Sequence, residues 1–284
     1  DKVSEFAGRA VHEWSAEVFS AVGGPVLSGQ YRLMIRTERE KASERKKYDE
    51  VEIRPYTDDE LAAIDATYAA EQRRGAEPRW WEDVAEGDEV GPIVKGPLRV
   101  TDMVVWHSGV GMGLYGVKAL RLAWQQRQRV PRFFTPDDLN IPDVQQRVHW
   151  DAEWAKRAGN PAIYDYGRMR ETWLIHLCTD WMGDDAWLWK LDCEFRKFNY
   201  VGDTHWMRGR VTRRHLSEAG PAVDLDVWGE NQRGETTTPG HATILLPSRE
   251  HGEVRLPDPP GGATNCAEAL AGLTERFSHE EDGA

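Results

Sequence analysis

The feature that most constrains the fold is a helical segment, residues 167–182, that is apolar around much of its circumference. Its apolar residues, at helical spacing, are Met169, Trp173, Leu174, Leu177, Cys178 and Trp181. A helix of this kind has to be wrapped by other elements, because so little of its surface suits water. Strand-like sequence follows it, so we predict an α+β fold in which a curved antiparallel sheet wraps around one central helix.

Four runs after this helix have the alternating polarity that is typical of strands. They contain Leu191/Cys193/Phe195, Trp206/Gly209/Val211, Val223/Leu225/Val227 and Ala242/Ile244/Leu246. Glycine-containing turns lie between the runs, at residues 202–203, 219–221 and 233–235. Short turns join antiparallel neighbours, so the four runs predict a meander.

The N-terminal part of the chain has a different texture. Residues 1–24 are weakly patterned and are expected to hold a short helix, whereas the alternation that begins at Gly29 predicts a strand. The charged run 37–47 predicts a solvated hairpin tip, and Val51 and Ile53 predict a returning strand.

A capping-box pattern at Thr57 and Glu60 predicts a helix that ends near Arg74. Glycine and proline after it mark the first boundary. We therefore expect an N-terminal segment over 1–75, one domain over 76–248 and a polar, proline- and glycine-rich tail over 249–284.

Between residues 80 and 166 the pattern is mixed. It predicts a turn at 86–88 followed by short strand material, a capped segment at Thr101 and Asp102, and a helix over 114–129. Residues 130–143, rich in proline and aspartate, predict a loop, and Asp151 is expected to cap a short helix through Ala158.

Charge and cysteine content exclude several classes of protein. The chain has 36 basic and 48 acidic residues, a net charge of −12, which disfavours nucleic-acid and anionic-membrane partners. No apolar run is long enough to span a membrane, and residues 1–10 lack a signal-peptide pattern. Three dispersed cysteines and nine scattered histidines match no disulfide framework or metal motif. Nucleotide-binding glycine motifs are also missing, so we expect a cytoplasmic protein without cofactor or metal.

An ordered set of short motifs over residues 80–247 resembles the MaoC-like hot-dog family of acyl-thioester dehydratases and hydratases. The matching pieces are the residues 81–88, 100–103, 149–151 with 153–155 and 158–159, 166–167, 198–204 with Gly209 and Val211, 231–235, and 240–247. The resemblance implies a curved sheet around a central helix, and residues 1–75 would then be a partial or degenerate second hot-dog lobe. It also implies an acyl-CoA substrate and a homodimer or a hot-dog partner subunit, so the protein should elute as more than one chain.

Addition of water to an enoyl-thioester needs a proton-transfer group and donors for the enolate oxygen. His149 aligns with the family's catalytic histidine, and a histidine suits proton transfer because its pKa lies near working pH. Gly167 aligns with the glycine that starts the central helix, where free backbone amides can bind the oxygen. The alternatives are an ordinary hydrogen-bonded histidine and a plain turn glycine.

The sequence departs from the family in the catalytic segment, where Val144 stands at the position of the usual acid, five residues before His149. A one-residue shift of the loop would let Asp143 supply the carboxylate. Asp165, next to the central helix, is the other candidate, and Tyr166 could line the pocket. Each residue has a structural alternative, as a solvated loop residue or as part of the helix start.

Three arginines, Arg147, Arg168 and Arg170, cluster around the same elements in sequence. They could bind a substrate carboxylate or a coenzyme A phosphate through paired hydrogen bonds, or they could be ordinary surface arginines. If they bind a carboxylate, a carboxylated enoyl-CoA should be turned over better than crotonyl-CoA. The tryptophans of this region fit core anchors best, with an acyl-pocket lining as the alternative.

The sequence leaves three functions open. The first is an enoyl-CoA hydratase or (R)-3-hydroxyacyl-CoA dehydratase that uses a histidine and a carboxylate. The second is an acyl-CoA thioesterase on the same fold. The third is a non-catalytic subunit that binds acyl-CoA, which the altered acid motif permits.

Overall fold

A computed structural model describes residues 53–110 and 116–256 in full, and the backbone of residues 8–21 and 24–37. The chain divides into two compact units. The strands of residues 8–37 belong to one unit, and Arg45–Arg255 form the other.

Two long strands, β1 (Gly8–Ala21) and β2 (Gly24–Thr37), form an antiparallel hairpin. Gly8 lies opposite Thr37 and Ala21 opposite Gly24. The strand expected from Gly29 is confirmed, but the short helix expected within residues 1–24 is wrong. Weak local patterning left that segment undecided, and pairing with β2 fixes it as a strand. The predicted hairpin tip beyond Thr37 and the strand residue Val51 lie outside the described residues, and Ile53 is in no strand.

A five-stranded antiparallel sheet dominates the second unit, in the order β3-β7-β8-β9-β6. Its strands are β3 (Glu89–Lys95), β6 (Trp187–Cys193), β7 (His205–Ser217), β8 (Gly220–Asn231) and β9 (Thr236–Leu245). The four strands predicted as a meander are all present, but only β7, β8 and β9 pair in succession. Strand β6 pairs with β9 and not with β7, and Phe195 lies beyond its end. The turn predicted at 86–88 and the short strand after it are confirmed, by a turn at residues 86–87 and by β3. Trp81–Asp83, which the resemblance places in an opening strand, form a 3₁₀ turn instead.

The helices are α1 (Asp58–Ala70), α2 (Val100–Gly109), α3 (Arg121–Arg129), α4 (Ala152–Arg157) and α5 (Gly167–Met182). The bounds of α5 agree with the prediction. Leu174, Leu177 and Cys178 on α5 are inaccessible and join the strand residues Val211 and Leu225 in one core. The predicted α+β architecture, with a sheet packed around a central helix, is therefore confirmed.

Helix α1 begins with the predicted capping box, since Glu60 N donates to Thr57 Oγ1 and Thr57 N donates to the Glu60 carboxylate. It ends at Ala70, earlier than the predicted Arg74. Tyr68 of α1 donates to the carbonyl of Gly96, just after β3. The helix thus packs in the same unit as the sheet.

The segment predicted as a loop, 130–143, contains a small hairpin of β4 (Phe134–Pro136) and β5 (Pro142–Val144). The Asp137 carboxylate closes its turn by accepting from the amides of Leu139 and Ile141. Such local bonds let a proline- and aspartate-rich stretch order itself. A 3₁₀ turn, Gln145–His149, follows at once and carries His149.

Candidate active site

The segment before α5 is fixed by a short antiparallel pairing with residues 199–201. The amide of Asp165 donates to the Asn199 carbonyl at 2.9 Å, and the amide of Val201 donates to the Ile163 carbonyl at 2.9 Å. Tyr164 and Tyr200 form the bridge between these two bonds. The start of α5 therefore has a defined position.

His149 is held by the backbone of this segment. Its Nδ1 lies 2.8 Å from the carbonyl oxygen of Tyr164, and its ring centroid lies 3.7 Å from that of Tyr166. A carbonyl oxygen only accepts, so Nδ1 carries the proton and donates, which leaves the lone pair of the neutral ring on Nε2. Burial lowers the pKa of His149 to about 4, against the hydrogen bond to Tyr164, and nearby His107 adds to the lowering. The ring is thus neutral at pH 7 and has the tautomer of a base at Nε2.

Tyr166 connects His149 to a second histidine that the sequence analysis missed. The Tyr166 hydroxyl lies 2.7 Å from Nδ1 of His107, a buried residue of α2, and the two rings stack. Trp106 and Trp150 pack against this pair. Burial lowers the pKa of His107 as well. The signal in the sequence was the spacing of Met103 and His107, four residues apart and buried on one face of a helix.

The N-terminus of α5 lacks a side-chain cap within the described part of the chain. Tyr166 occupies the cap position and makes no side-chain capping bond. The first amides of a helix have no partner inside the helix, and the helix dipole is positive there. A carbonyl oxygen that develops negative charge fits such a terminus.

Gly167, the first residue of α5, lies directly under the ring of Phe195. A Cβ atom at Gly167 would come within 2.9 Å of that ring, closer than real Cβ contacts allow. The residue is therefore glycine because an aromatic side chain approaches it. Phe195 itself is about half exposed, at 47%. It covers the helix start from the solvent side.

Asp165 is completely buried and pairs with Arg170 of the first turns of α5, Oδ2 to Nε at 3.1 Å. Asn199 donates to the same oxygen at 2.9 Å. Desolvation raises the pKa of Asp165 to about 6, although Arg170 and Asn199 act in the opposite direction. Arg170 also donates to the carbonyl of Lys197. The Asp165–Arg170 pair thus connects the start of α5 to the segment that contains Lys197 and Asn199.

Asp143 has a different neighbourhood. Its carboxylate pairs with Lys118 Nζ at 2.7 Å and accepts from the amide of Val144. Within the described residues, the Tyr164 carbonyl is the hydrogen-bond partner of His149, and no hydrogen bond joins it to Asp143 or Asp165. Among the described residues, His149 is therefore oriented by a backbone carbonyl and not by either candidate carboxylate.

The three arginines have separate partners. Arg147 is buried, stacks on Trp154 with its guanidinium 3.5 Å from the ring centroid, and donates to the Thr135 carbonyl. Arg170 is engaged with Asp165, and Arg168 is 40% exposed and lies 3.9 Å from Glu171. Arg168 thus has the most accessible guanidinium of the three.

Asp151 caps α4 as predicted, because its carboxylate accepts from the Trp154 amide.

A cavity of about 190 Å³ lies beside the β4–β5 hairpin, and its lining does not include His149 or Gly167. It is lined by Asp137, Asp138, Leu139, Arg147, Asp151, Glu153, Trp154 and Arg157. The carboxylates of Asp137 and Asp151 accept hydrogen bonds from backbone amides. These two acidic residues of the cavity lining therefore have roles in local structure. The arrangement around His149 has the chemistry of a proton-transfer site, and we assign the candidate site there.

Two kinds of feature, a membrane-spanning helix and a cluster of metal ligands, are missing from the described residues. No helix there combines the length and the apolar character that crossing a bilayer requires. No group of three or more potential metal-ligating side chains was found there.

Comparison with known proteins supports the fold. No protein-family model matches the chain, and no curated protein sequence matches it. Among solved structures, a MaoC-like dehydratase is 15% identical with a TM-score of 0.50, over 84% of this chain and 65% of that chain. An (R)-hydratase from A. caviae involved in PHA biosynthesis is 16% identical (TM-score 0.42, 58% of this chain and 99% of that one). The R-hydratase PhaJ1 from Pseudomonas aeruginosa is 14% identical (TM-score 0.44, 65% and 96%).

The first of these structures extends over most of this chain, and its match agrees with the sheet wrapped around α5. Identity of this order establishes architecture and leaves the chemistry to be argued from the site. This chain has the hot-dog fold of the MaoC-like dehydratases.

Proposed function

We propose that this protein is an acyl-thioester hydro-lyase that adds water reversibly to an α,β-unsaturated acyl-CoA. The observation that carries the proposal is the neutral ring of His149, oriented by the Tyr164 carbonyl, beside the uncapped start of a buried helix. Hydration needs a base for water and a donor for the enolate oxygen. The fold resemblance to a MaoC-like dehydratase supports a reversible hydration reaction.

In the proposed reaction, Nε2 of His149 takes a proton from water, and the water oxygen adds to the β-carbon. The backbone amide of Gly167 donates to the thioester oxygen as the enolate develops. His149 then returns a proton to the α-carbon. The Nδ1–H bond to Tyr164 keeps the ring in the required tautomer throughout.

The remaining residues of the site have supporting roles in this proposal. Asp165 and Arg170 hold the start of α5, so that the Gly167 amide has a fixed position. Tyr166 packs against the His149 ring and is itself hydrogen-bonded to His107. Arg168, the exposed arginine, is the candidate contact for a coenzyme A phosphate. Asp143, paired with Lys118, is assigned to the surface and not to proton transfer.

The test is turnover of crotonyl-CoA by the full chain, with the enoyl absorbance and free thiol followed in parallel. We expect loss of absorbance without thiol release. His149→Gln should lower the rate about 10²–10⁴-fold, the usual contribution of acid–base catalysis. Asp143→Asn is the matched control and should keep the rate within about twofold, since the Asp143 carboxylate pairs with Lys118 and makes no hydrogen bond to His149.

Four other outcomes would contradict the proposal. Thiol release would identify a thioesterase, and lack of reaction over a broad panel of enoyl-CoA substrates would identify a binding subunit. A wild-type rate in His149→Gln, with hydration intact, would remove His149 from the mechanism. If Asp143→Asn instead lost as much activity as His149→Gln, the carboxylate would be restored to the reaction.

We also propose that the protein self-associates through its hot-dog domain. The sheet ends in two edge strands, β3 and β6, and Trp187 on β6 is 43% exposed. Edge strands with exposed apolar residues favour pairing with another chain. Light scattering at micromolar concentration should therefore give at least twice the mass of one chain, and a monomeric mass would refute the proposal.

A further inference from the structure

Lys95, His176 and Asp180 form a hydrogen-bonded chain that the proposed reaction does not use. Nζ of Lys95 lies 2.8 Å from Nδ1 of His176, and Nε2 of His176 lies 3.0 Å from Oδ2 of Asp180. Lys95 is the last residue of β3, and the other two residues are four apart on α5. An amine, an imidazole and a carboxylate therefore follow one another in space.

The partners of His176 fix both of its protons. A lysine ammonium only donates, so Nδ1 of His176 accepts and carries no proton. Nε2 then carries the proton and donates to the Asp180 carboxylate. His176 is thus a neutral base whose lone pair faces the amine of Lys95, and Asp180 is placed to stabilise the imidazolium. This is the relation between nucleophile, base and orienting group that activates weak nucleophiles.

Burial makes the ammonium of Lys95 easier to deprotonate. The residue is half-buried, and burial lowers the pKa of its amine, although Glu71 and Asp180 oppose the shift. Glu71 is the C-cap of α1 and also accepts from the amide of Val94. Tyr68, on the last turn of α1, is engaged with the backbone of Gly96. These groups of α1 and α5 are those that face the amine.

The site is open to a reagent from solution. The side chain of His176 is 42% exposed, whereas that of Asp180 is 12% exposed. Lys95 itself is only partly buried. The imidazole that faces the amine is therefore in contact with solvent.

We propose that Lys95 is an acyl-acceptor amine that reacts with small acyl-thioesters, with His176 as its base. The ammonium passes one proton to Nδ1 of His176, and the free amine attacks the thioester carbonyl carbon. The tetrahedral adduct loses its second N–H proton to water. The C–S bond then breaks, and the leaving thiolate takes the proton from His176. The products are an amide on Lys95, a thiol and one released proton, and the inference is independent of the proposed hydro-lyase activity.

The experiment is incubation of the full chain with acetyl-CoA at mildly alkaline pH, with the acetylated fraction of each lysine measured by peptide mass spectrometry. Lys190, exposed on β6, is the internal reference. Lys95 should acquire acetyl groups about tenfold faster than Lys190, since general-base help contributes at least that much. In His176→Gln the Lys95 rate should fall to that of Lys190, while the Lys190 rate stays constant.

A second variant, Asp180→Asn, keeps the shape of the side chain and removes its charge. It should lower the Lys95 rate several-fold, because the imidazolium loses its partner. Equal rates at Lys95 and Lys190 in the wild type would overturn the inference. A Lys95 rate that both variants leave unchanged would also overturn it.

Discussion

The body of α5 and the N-terminal end of α5 belong to one helix but are held in different ways. Leu174, Leu177 and Cys178 in the body are inaccessible and pack only in an apolar core. At the N-terminal end, by contrast, Asp165 and Arg170 are a buried ion pair, 1% and 3% exposed. Burial of charge costs free energy that packing does not recover, whereas burial of leucine stabilises the fold.

This difference shows where the molecule places its chemistry. The body can be repacked with apolar side chains of similar volume and keep its role. The end depends on particular partners, such as the Tyr164 carbonyl for His149 and the Phe195 ring over Gly167. We therefore expect stability to depend mainly on the apolar body and the proposed hydration reaction to depend mainly on the end.

The largest expected effect on stability is that of Leu177→Ala in the body. Loss of a buried leucine should lower the free energy of unfolding by about 2–5 kcal/mol, because a cavity remains in the core. Hydratase turnover per folded molecule should stay near the wild-type value. Denaturant titration and turnover of crotonyl-CoA measure the two quantities. The control is Leu216→Ala, at a position that is 59% exposed, which should change stability by less than about 0.5 kcal/mol.

Gly167→Ala should do the reverse and affect activity more than stability. The added methyl group meets the half-exposed ring of Phe195 at 2.9 Å, so the ring or the helix start has to move. A displacement of about 1 Å in a positioned donor can lower turnover about 10²-fold. The double variant Gly167→Ala, Phe195→Ala relieves the contact and should recover part of the rate. If the double variant is as slow as the single one, the contact with Phe195 is not the cause.

The smallest effect on turnover is expected from a change of pH. Because the pKa of His149 in the folded protein is about 4, the base form persists on acidification, and kcat/KM should begin to fall only near pH 4. The unfolded chain binds the same proton near pH 6.5. His149, and His205 with a pKa of about 3, should therefore lower the free energy of unfolding as the pH falls from 6.5 towards 4. Asp165, whose pKa is raised to about 6, acts in the opposite direction below that pH.

A pH–rate profile and denaturant titrations between pH 4 and 7.5 give both slopes. His149→Gln removes this titration and should show a weaker decrease of stability over the same range. An acidic limb of kcat/KM centred at pH 6.5 would mean that the ring is solvated, and the contrast between the two ends of α5 would weaken.

Local pattern was sufficient for much of the fold. The bounds of α5, the capping box at Thr57 and Glu60 and the cap at Asp151 follow from side-chain spacing along the chain. Residues 8–21 were not predicted as a strand, since their partner in β2 was needed to decide it. The hairpin within 130–144 was missed for a different reason, because the Asp137 side chain closes its turn and its three-residue strands are too short to show alternation.

The sequence by itself determined the apolar helix, the strands that wrap it and the candidacy of His149 and Gly167, because periodicity and motif order are local properties of the chain. Only the tertiary structure decided what these residues meet. It joined His149 to the Tyr164 carbonyl, brought His107 to Tyr166, and paired Asp143 with Lys118. These contacts join residues that are 15 to 59 positions apart, and such distances depend on how the whole chain packs.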